Sequence, residues 1–279
     1  DNVAIGRLAF SASTDGADNI AIGRSALAVS GNDGDTNIAI GLAALGTGDV
    51  AGAGNIGLGA SALTALTSGT NNIAMGLTSA DALLSGTDNV SIGRLAFSAS
   101  TDGADNIAIG RSALAVSGND GDTNIAIGLA ALGTGDVAGA GNIGIGASAL
   151  TALTGGTNNI GIGLTSGDAL TGGTDNVAIG RLALSASPDG VSNIAIGTSA
   201  LAVSDGVADN NIAIGLTAMG TGDVSGLANI AIGALSADAL TTGICNVAIG
   251  VNALGASTTG CLNIAIGEVA MGTAITTGV

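Results

Sequence analysis

The sequence predicts an all-β fold: a parallel β-solenoid of about sixteen coils with 17–18 residues in each coil. The first observation is a motif, Asn-(Val/Ile)-small-(Ile/Leu/Met)-Gly, which occurs sixteen times at a spacing of 17 or 18 residues. The second is the order large-small-large within the motif, which is the period-two alternation of a β-strand. The third is the Gly that closes every motif, because Gly readily adopts the positive φ of a tight corner.

The motif has a second, longer period. Its spacings run 17, 18, 18, 17 and 17 residues and then begin again, so five coils form a higher repeat of 87 residues. Residues 1–87 and 88–174 differ at only eight positions, the third copy covers 175–261, and 262–279 begin a fourth copy. We therefore predict a single solenoid domain over residues 1–279. Since the chain starts inside a repeat, we expect it to be a stretch of a longer protein.

Each coil has a common plan when its positions are counted from the motif Asn as position 0. The strand and the Gly follow at +1 to +4, and most coils carry Ala-Leu at +7 and +8. The Ala-Leu pair predicts a second short strand, and a polar loop of Gly, Asp, Thr and Ser closes the coil. A run of short helices is the alternative, but helices this short are unstable. Stacked coils can bury apolar side chains that one coil cannot.

The recurring Asn is predicted to form a ladder along the stack. Its amide both donates and accepts hydrogen bonds, so equivalent Asn side chains can bond from coil to coil. A local Asx turn at the corner is an alternative that is compatible with the ladder. The candidate ladder residues are Asn19, Asn37, Asn55, Asn72, Asn89, Asn106 and Asn124.

The motifs resemble those of a known family. The segments Asp1-Asn-Val-Ala-Ile-Gly6 and Asp18-Asn-Ile-Ala-Ile-Gly23 resemble the head repeats of YadA-like trimeric autotransporter adhesins. The segment Thr258-Thr-Gly-Cys-Leu-Asn-Ile-Ala-Ile-Gly267 is similar to repeats of bacterial and phage fibre proteins. The resemblance covers the whole chain. It implies a left-handed parallel β-roll, an assembly that is often a trimer, and a location at a cell or virion surface.

The charge balance narrows the choice of partners. The chain has 21 acidic residues against 5 basic ones and a net charge of −16. Nucleic acid needs a basic footprint, and anionic membrane surfaces attract basic segments, so neither suits this chain. No run approaches the ~20 apolar residues of a membrane-spanning helix. The predicted partners are further copies of the chain, in a homo-oligomer or filament, and a host or surface receptor.

Catalysis is not expected. The chain has neither His nor Lys, so it cannot form a Ser-His-Asp triad, a Schiff base or a phosphate-binding loop with its lysine. Two Cys residues without His cannot provide the usual zinc site. Acidic residues are plentiful but stand in loops that repeat almost unchanged, whereas a catalytic site is a unique arrangement. We predict that the chain is not an enzyme and has no resident cofactor.

Calcium is the one ion for which the sequence offers candidate ligands. Asp15, Asp18, Asp33 and Asp35 lie in loops that contain Gly, and calcium prefers oxygen ligands of this kind. The alternative is that these acids are solvated and keep an apolar stack soluble. An ice-binding solenoid is less favoured, because Thr does not recur at one strand position.

Two features predict contacts between chains. Position +2 is Ala, Gly or Ser in every coil. We predict that its large neighbours face the core, so this small residue faces outward and lets another chain approach closely. The alternative is that crowding within the stack requires a small residue. Five coils carry both Asp at −1 and Arg at +5, and no other coil carries either. We expect each Arg to meet an acid of a neighbouring chain. Shared ancestry of these coils is the alternative explanation of the pattern. The predicted interface comprises Ala21, Ala39, Ala108, Ala126, Arg7, Arg24, Arg94, Arg111 and Arg181.

The two Cys residues are predicted to form a disulfide. Cys245 and Cys261 lie just upstream of the motif Asn in consecutive coils. Equivalent positions of stacked coils are about 5 Å apart, which is within the Cα separation that a disulfide accepts. Two free thiols are the alternative. A disulfide would indicate an oxidising compartment.

The features together predict a structural or adhesive protein. We expect an extracellular fibre or filament at the cell surface, built from stacked coils. The alternatives are the shaft of a phage or phage-like tail fibre and, in a different class, a calcium- or ice-binding solenoid.

Overall fold

A computed structural model describes residues 1–12, 15–29, 34–116, 121–204 and 208–273. These residues contain sixteen strands of three residues each and no helix. The chain forms two compact units, Asp1–Gly141 and Asn142–Val279. Each unit contains eight of the strands.

Each motif forms one strand, and each strand belongs to one coil. The first unit contains β1 (Val3–Ile5), β2 (Ile20–Ile22), β3 (Ile38–Ile40), β4 (Ile56–Leu58), β5 (Ile73–Met75), β6 (Val90–Ile92), β7 (Ile107–Ile109) and β8 (Ile125–Ile127). The second unit contains β9 (Ile143–Ile145), β10 (Ile160–Ile162), β11 (Val177–Ile179), β12 (Ile194–Ile196), β13 (Ile212–Ile214), β14 (Ile230–Ile232), β15 (Val247–Ile249) and β16 (Ile264–Ile266).

Strand pairing within each unit is parallel and follows the motif. Each strand pairs with the next one along the chain, and equivalent positions face each other, as Ala21 faces Ala39. The chain therefore folds as the predicted all-β parallel solenoid, with one coil per motif.

The side of the strand that faces the coil interior is the opposite of the predicted one. In β2 the small residue Ala21 is fully buried, whereas Ile20 and Ile22 remain partly exposed. Position +2 is buried in every strand from β2 to β16. The small residues therefore face the core, and the large aliphatic residues face outward.

Crowding inside the coil explains why position +2 is small. A Cβ added to Gly57 would lie 3.5 Å from Cδ1 of Leu45 at position +8 of the preceding coil, and one added to Gly161 would lie 2.7 Å from Cγ of Leu150. The crowding explanation is thus confirmed, and the prediction that position +2 contacts another chain is wrong. The alanines assigned to that contact lie inside their coils: Ala21, Ala39, Ala108 and Ala126.

The Ala-Leu pair forms a turn instead of the predicted second strand. In the second coil Ala26 and Leu27 are both fully buried, whereas successive residues of a strand point to opposite faces. The chain turns because Ser25 and Leu27 have φ values of 55° and 44°, and φ is positive at +6 and +8 in all sixteen coils. A left-handed Leu costs about 1–2 kcal/mol. It persists here because the N–H of Ser25 donates to the preceding coil and that of Leu27 to the following coil.

The Gly at +4 is required by both its conformation and its surroundings. Its φ lies between 126° and 141° in every coil, a region that other residues rarely adopt. A Cβ added to Gly6 would lie 2.5 Å from the carbonyl oxygen of Gly23 in the next coil. The corner after β1 therefore accepts no side chain without displacing the next coil.

We predict that Ala39→Glu destabilises the fold far more than Ile40→Glu does. Ala39 is fully buried, so the substitution places an unpaired charge inside the coil and should cost at least about 3 kcal/mol. Ile40 is 39% exposed, and a Glu there reaches water at a cost of about 1 kcal/mol. Urea unfolding followed by far-UV circular dichroism measures both. Equal unfolding midpoints would contradict the inward placement of position +2.

Candidate interaction surface

The outward side of the sheet in each unit is an apolar surface. Positions +1 and +3 point away from the coil interior and are Val, Ile, Leu or Met in all sixteen strands. The exposed fraction is 59% at Ile5 and 39% at both Ile40 and Met75. Parallel pairing in register aligns equivalent positions, with about 4.8 Å between neighbouring strands. We name these two rows of side chains the outer aliphatic face.

The outer aliphatic face is large for a surface in contact with water. In the first unit it covers eight strands, or about 34 Å along the stack at the usual strand spacing. Leu42, Leu77 and Leu129 at position +5 extend it and are 44–50% exposed. Soluble monomers rarely expose contiguous apolar patches of more than a few hundred Å². A surface of this kind normally contacts another molecule.

Charged side chains border this face at both ends of the strand. The Asp at −1 and the Arg at +5 are exposed in all five coils that carry them. Among the described residues, one ion pair forms: the N-terminal amine of Asp1 lies 2.7 Å from Oδ1 of Asp18. No Arg forms an ion pair with a described residue. The predicted arginines therefore stand at one margin of the face without an ion pair to any described residue: Arg7, Arg24, Arg94, Arg111 and Arg181.

The motif asparagines form the predicted ladder. Oδ1 of Asn37 accepts hydrogen bonds from the backbone N–H of Asn55 at 2.8 Å and from its Nδ2 at 3.1 Å. Nδ2 of Asn37 donates to the carbonyl oxygen of Gly52 at 2.9 Å. Bonds from the backbone N–H of one Asn to Oδ1 of the preceding Asn link Asn19, Asn37, Asn55, Asn72, Asn89, Asn106 and Asn124. All seven side chains are buried, so the ladder supports the stack and does not bind a ligand.

We predict that Asn72→Ala costs about 2–4 kcal/mol of unfolding free energy, because it leaves buried partners on both neighbouring coils without a hydrogen bond. The side chain of Asn72 bonds to Asn55, Gly86 and Asn89. The matched control is Asn71→Ala, since Asn71 is adjacent but exposed; its loss should be below about 1 kcal/mol. Urea unfolding midpoints test this, and similar midpoints for the two variants would argue against the ladder.

The three candidate calcium ligands that the structure describes do not form a group that could hold a metal ion. Oδ1 of Asp35 accepts the N–H of Ala17 at 2.6 Å and so holds the loop of the preceding coil. Asp18 contacts the N-terminal amine, Asp15 is exposed, and Asp33 lies outside the described residues. Within the described part of the chain, no group of three His, Cys, Asp or Glu residues could hold a metal ion.

The predicted disulfide is absent, because Cys245 and Cys261 are both free. Cys245 stands at −1 of its coil, but Cys261 stands at −2 of the next coil, so the two are offset by one residue. The residue level with Cys261 is Ile244, whose N–H lies 3.5 Å from Sγ of Cys261. The disulfide prediction is wrong, and the argument for an oxidising compartment that depended on it no longer applies.

Three carboxyl groups have altered acidity. Burial raises the pKa of Asp81, Asp168 and Asp238 above 3.8, and Oδ1 of both Asp81 and Asp168 has no hydrogen-bond partner. Because the folded pKa is raised, their contribution to stability falls as the pH rises from about 3.8 to the folded value, and at neutral pH they oppose folding. They lie in three non-adjacent coils, so they do not form a pair for acid–base chemistry.

The described residues enclose no pocket. Nor do they include a helix with the length and hydrophobicity to cross a membrane. No protein-family model matches the chain, and no curated protein was found to be similar to it. The feature with the clearest physical basis for a function is the outer aliphatic face with its two charged margins.

Proposed function

We propose that this chain is a structural part of an extracellular surface fibre and that it works by lateral association with further copies of itself through the outer aliphatic face. The observation that carries the proposal is the exposure of two rows of Val, Ile, Leu and Met along the strands of each unit. A structural role also agrees with a fold made of stacked repeats.

A second copy of the chain fits this surface well. The face is a regular sheet surface, and sheets pack face to face through interdigitated side chains. Covering a partly exposed Ile contributes a favourable fraction of the ~1.5–3 kcal/mol of a fully buried one, and each strand contributes two partly exposed aliphatic positions. Symmetric association of identical chains is the commonest route by which soluble proteins bury a surface of this kind. Self-association therefore removes the exposed apolar area without a specialised partner.

The surface location and the number of copies rest on the resemblance to adhesin head repeats and fibre repeats. That resemblance implies a trimer and a fibre at a cell or virion surface. The net charge of −16 supports solubility of the assembled fibre, because the acids outside the interface remain solvated. An adhesin head and a tail-fibre shaft share this design, and we propose the cell-surface fibre.

We predict that Ile22→Glu, Ile40→Glu and Ile92→Glu, combined in one chain, dissociate the assembly. Each substitution places a charge in the outer aliphatic face, where association would have to bury it. Sedimentation velocity at micromolar concentration should give an oligomer for the natural chain and a monomer for the variant. Far-UV circular dichroism should be nearly the same for both, because the substituted side chains lie outside the coil.

The control carries the same added charge elsewhere. Ser68→Glu, Ser85→Glu and Ala99→Glu change exposed residues in the loops that close the coils, and this variant should still assemble. A natural chain that sediments as a monomer at tens of micromolar would overturn the proposed function. So would equal dissociation of the two variants, since net charge would then explain the effect.

A further inference from the structure

We propose that copies of this chain associate in parallel and in coil register, so that each Arg at +5 faces the Asp at −1 of the same coil in the neighbouring copy. This inference deepens the proposed function and rests on it. It assigns a partner to the five arginines, which are all the basic residues of the chain and which form no ion pair within the described residues.

The two margins of the outer aliphatic face carry opposite charges. Asp18 and Arg24 stand on either side of the same strand, both exposed, and the same arrangement recurs in the other charged coils. Residues at −1 stack in a row, since Nδ2 of Asn71 donates to Oδ1 of Asp88 at 3.1 Å. A neighbouring copy therefore encounters an acidic margin and a basic margin with a common apolar surface between them.

The choice of symmetry axis decides which margins meet. Rotation about an axis parallel to the stack places the −1 margin of one copy against the +5 margin of the other, at the same coil. This holds for two copies packed face to face and for a ring of three. Rotation about an axis along the strands reverses the stack and places Asp against Asp and Arg against Arg. Like charges brought together oppose association, so the parallel arrangement is favoured.

The order of charged coils also fixes the register. In the first unit the first, second, sixth and seventh coils carry the Asp and Arg couple, and the other four coils do not. Alignment in register matches all four couples. A shift by one coil matches only two of them, and a shift by five coils matches at most three, because Asp175 continues the pattern. The unmatched arginines then face uncharged residues such as Thr36 and Thr123. Charge pairs at the rim of an interface contribute mainly to specificity in this way.

Changes between the higher repeats support contact between the two margins. Where the third copy has Ser192 in place of Asp105, it also has Thr198 in place of Arg111. In the uncharged coils of the third copy position −1 has also changed, to Asn210, Ala228 and Cys245, and only the last of these accompanies a change at +5. Within the described residues no Asp at −1 pairs with an Arg at +5, so contact between neighbouring copies gives a physical reason for the two charges to be lost together.

The absence of Lys from the chain allows a direct test. Arg24→Lys introduces the only side-chain amine, and enzymatic N-terminal acetylation blocks the terminal amine while leaving the Lys free. A carbodiimide then joins this amine to a carboxylate in contact with it. In a mixture of isotope-labelled and unlabelled chains, mass spectrometry should find the bond to Asp18 of a different copy. The control is Leu42→Lys, whose coil has Thr36 at −1 and should give no bond at that position.

The outcomes separate this inference from the proposed function. A bond from position 24 to an acid of another coil, a bond confined to one chain, or no bond in an assembled sample would overturn the parallel register while leaving self-association intact. A sample that sediments as a monomer would overturn both.

An exchange variant gives a second, independent measurement. Replacing Asp with Arg at −1 and Arg with Asp at +5 in all five charged coils keeps the net charge unchanged. In the parallel arrangement this variant assembles with itself but is excluded from assemblies of the natural chain, so differently tagged chains should co-purify at least tenfold less than tagged natural chains do. Random mixing would show that the margins do not meet, and preferred mixing would indicate the antiparallel arrangement.

Discussion

Hydrogen bonding from one coil to the next is the interaction on which the rest of this structure depends. Each coil is too thin to satisfy its own backbone, so its N–H and C=O groups must point along the stack and find partners in the adjacent coils. At +1 the N–H of Ile38 donates to the carbonyl oxygen of Asn55, and at +4 the N–H of Gly41 donates to that of Ile22. At position 0 the Asn side chain of the preceding coil is the acceptor, which explains an Asn there in every coil.

The same requirement sets the size of side chains on each side of the strand. The corners direct the backbone N–H groups along the stack, and they also bring the strand close to the turn at +7 and +8. The interior can therefore hold a Leu at +8 only if the residue at +2 is small. The large aliphatic residues that give the strand its β-propensity must lie outside. A thin coil of this kind therefore has an apolar exterior, which is the surface that the proposed association covers.

Much of this fold can be predicted from the sequence, because the motif repeats at one spacing with Gly at every corner. The Asn ladder is also predictable, since identical amides at equivalent positions must stack. The side of the strand that faces inward cannot be predicted in this way, because large and small residues alternate with the same period in either orientation. Hydrophobicity alone favoured the orientation with Ile inside, which is wrong. The sequence does carry a signal for the correct orientation in the Ala26-Leu27 pair. Because both of these neighbouring apolar residues are buried, the interior of the coil has no room left for Ile. The error over Cys245 and Cys261 came from an offset of one residue, which stacking does not tolerate.

Thiol accessibility in β5 tests most directly which side of the strand faces outward. In a chain with Cys245→Ser and Cys261→Ser, single Cys substitutions at Ile73, Ala74 and Met75 would be labelled in the assembled protein and in the variant with three Glu substitutions. The account predicts that Cys at Ile73 and Met75 reacts quickly in separated chains and slowly in assembled ones, while Cys at Ala74 reacts slowly in both. Rapid labelling at Ala74 together with protection at Ile73 and Met75 in separated chains would contradict it.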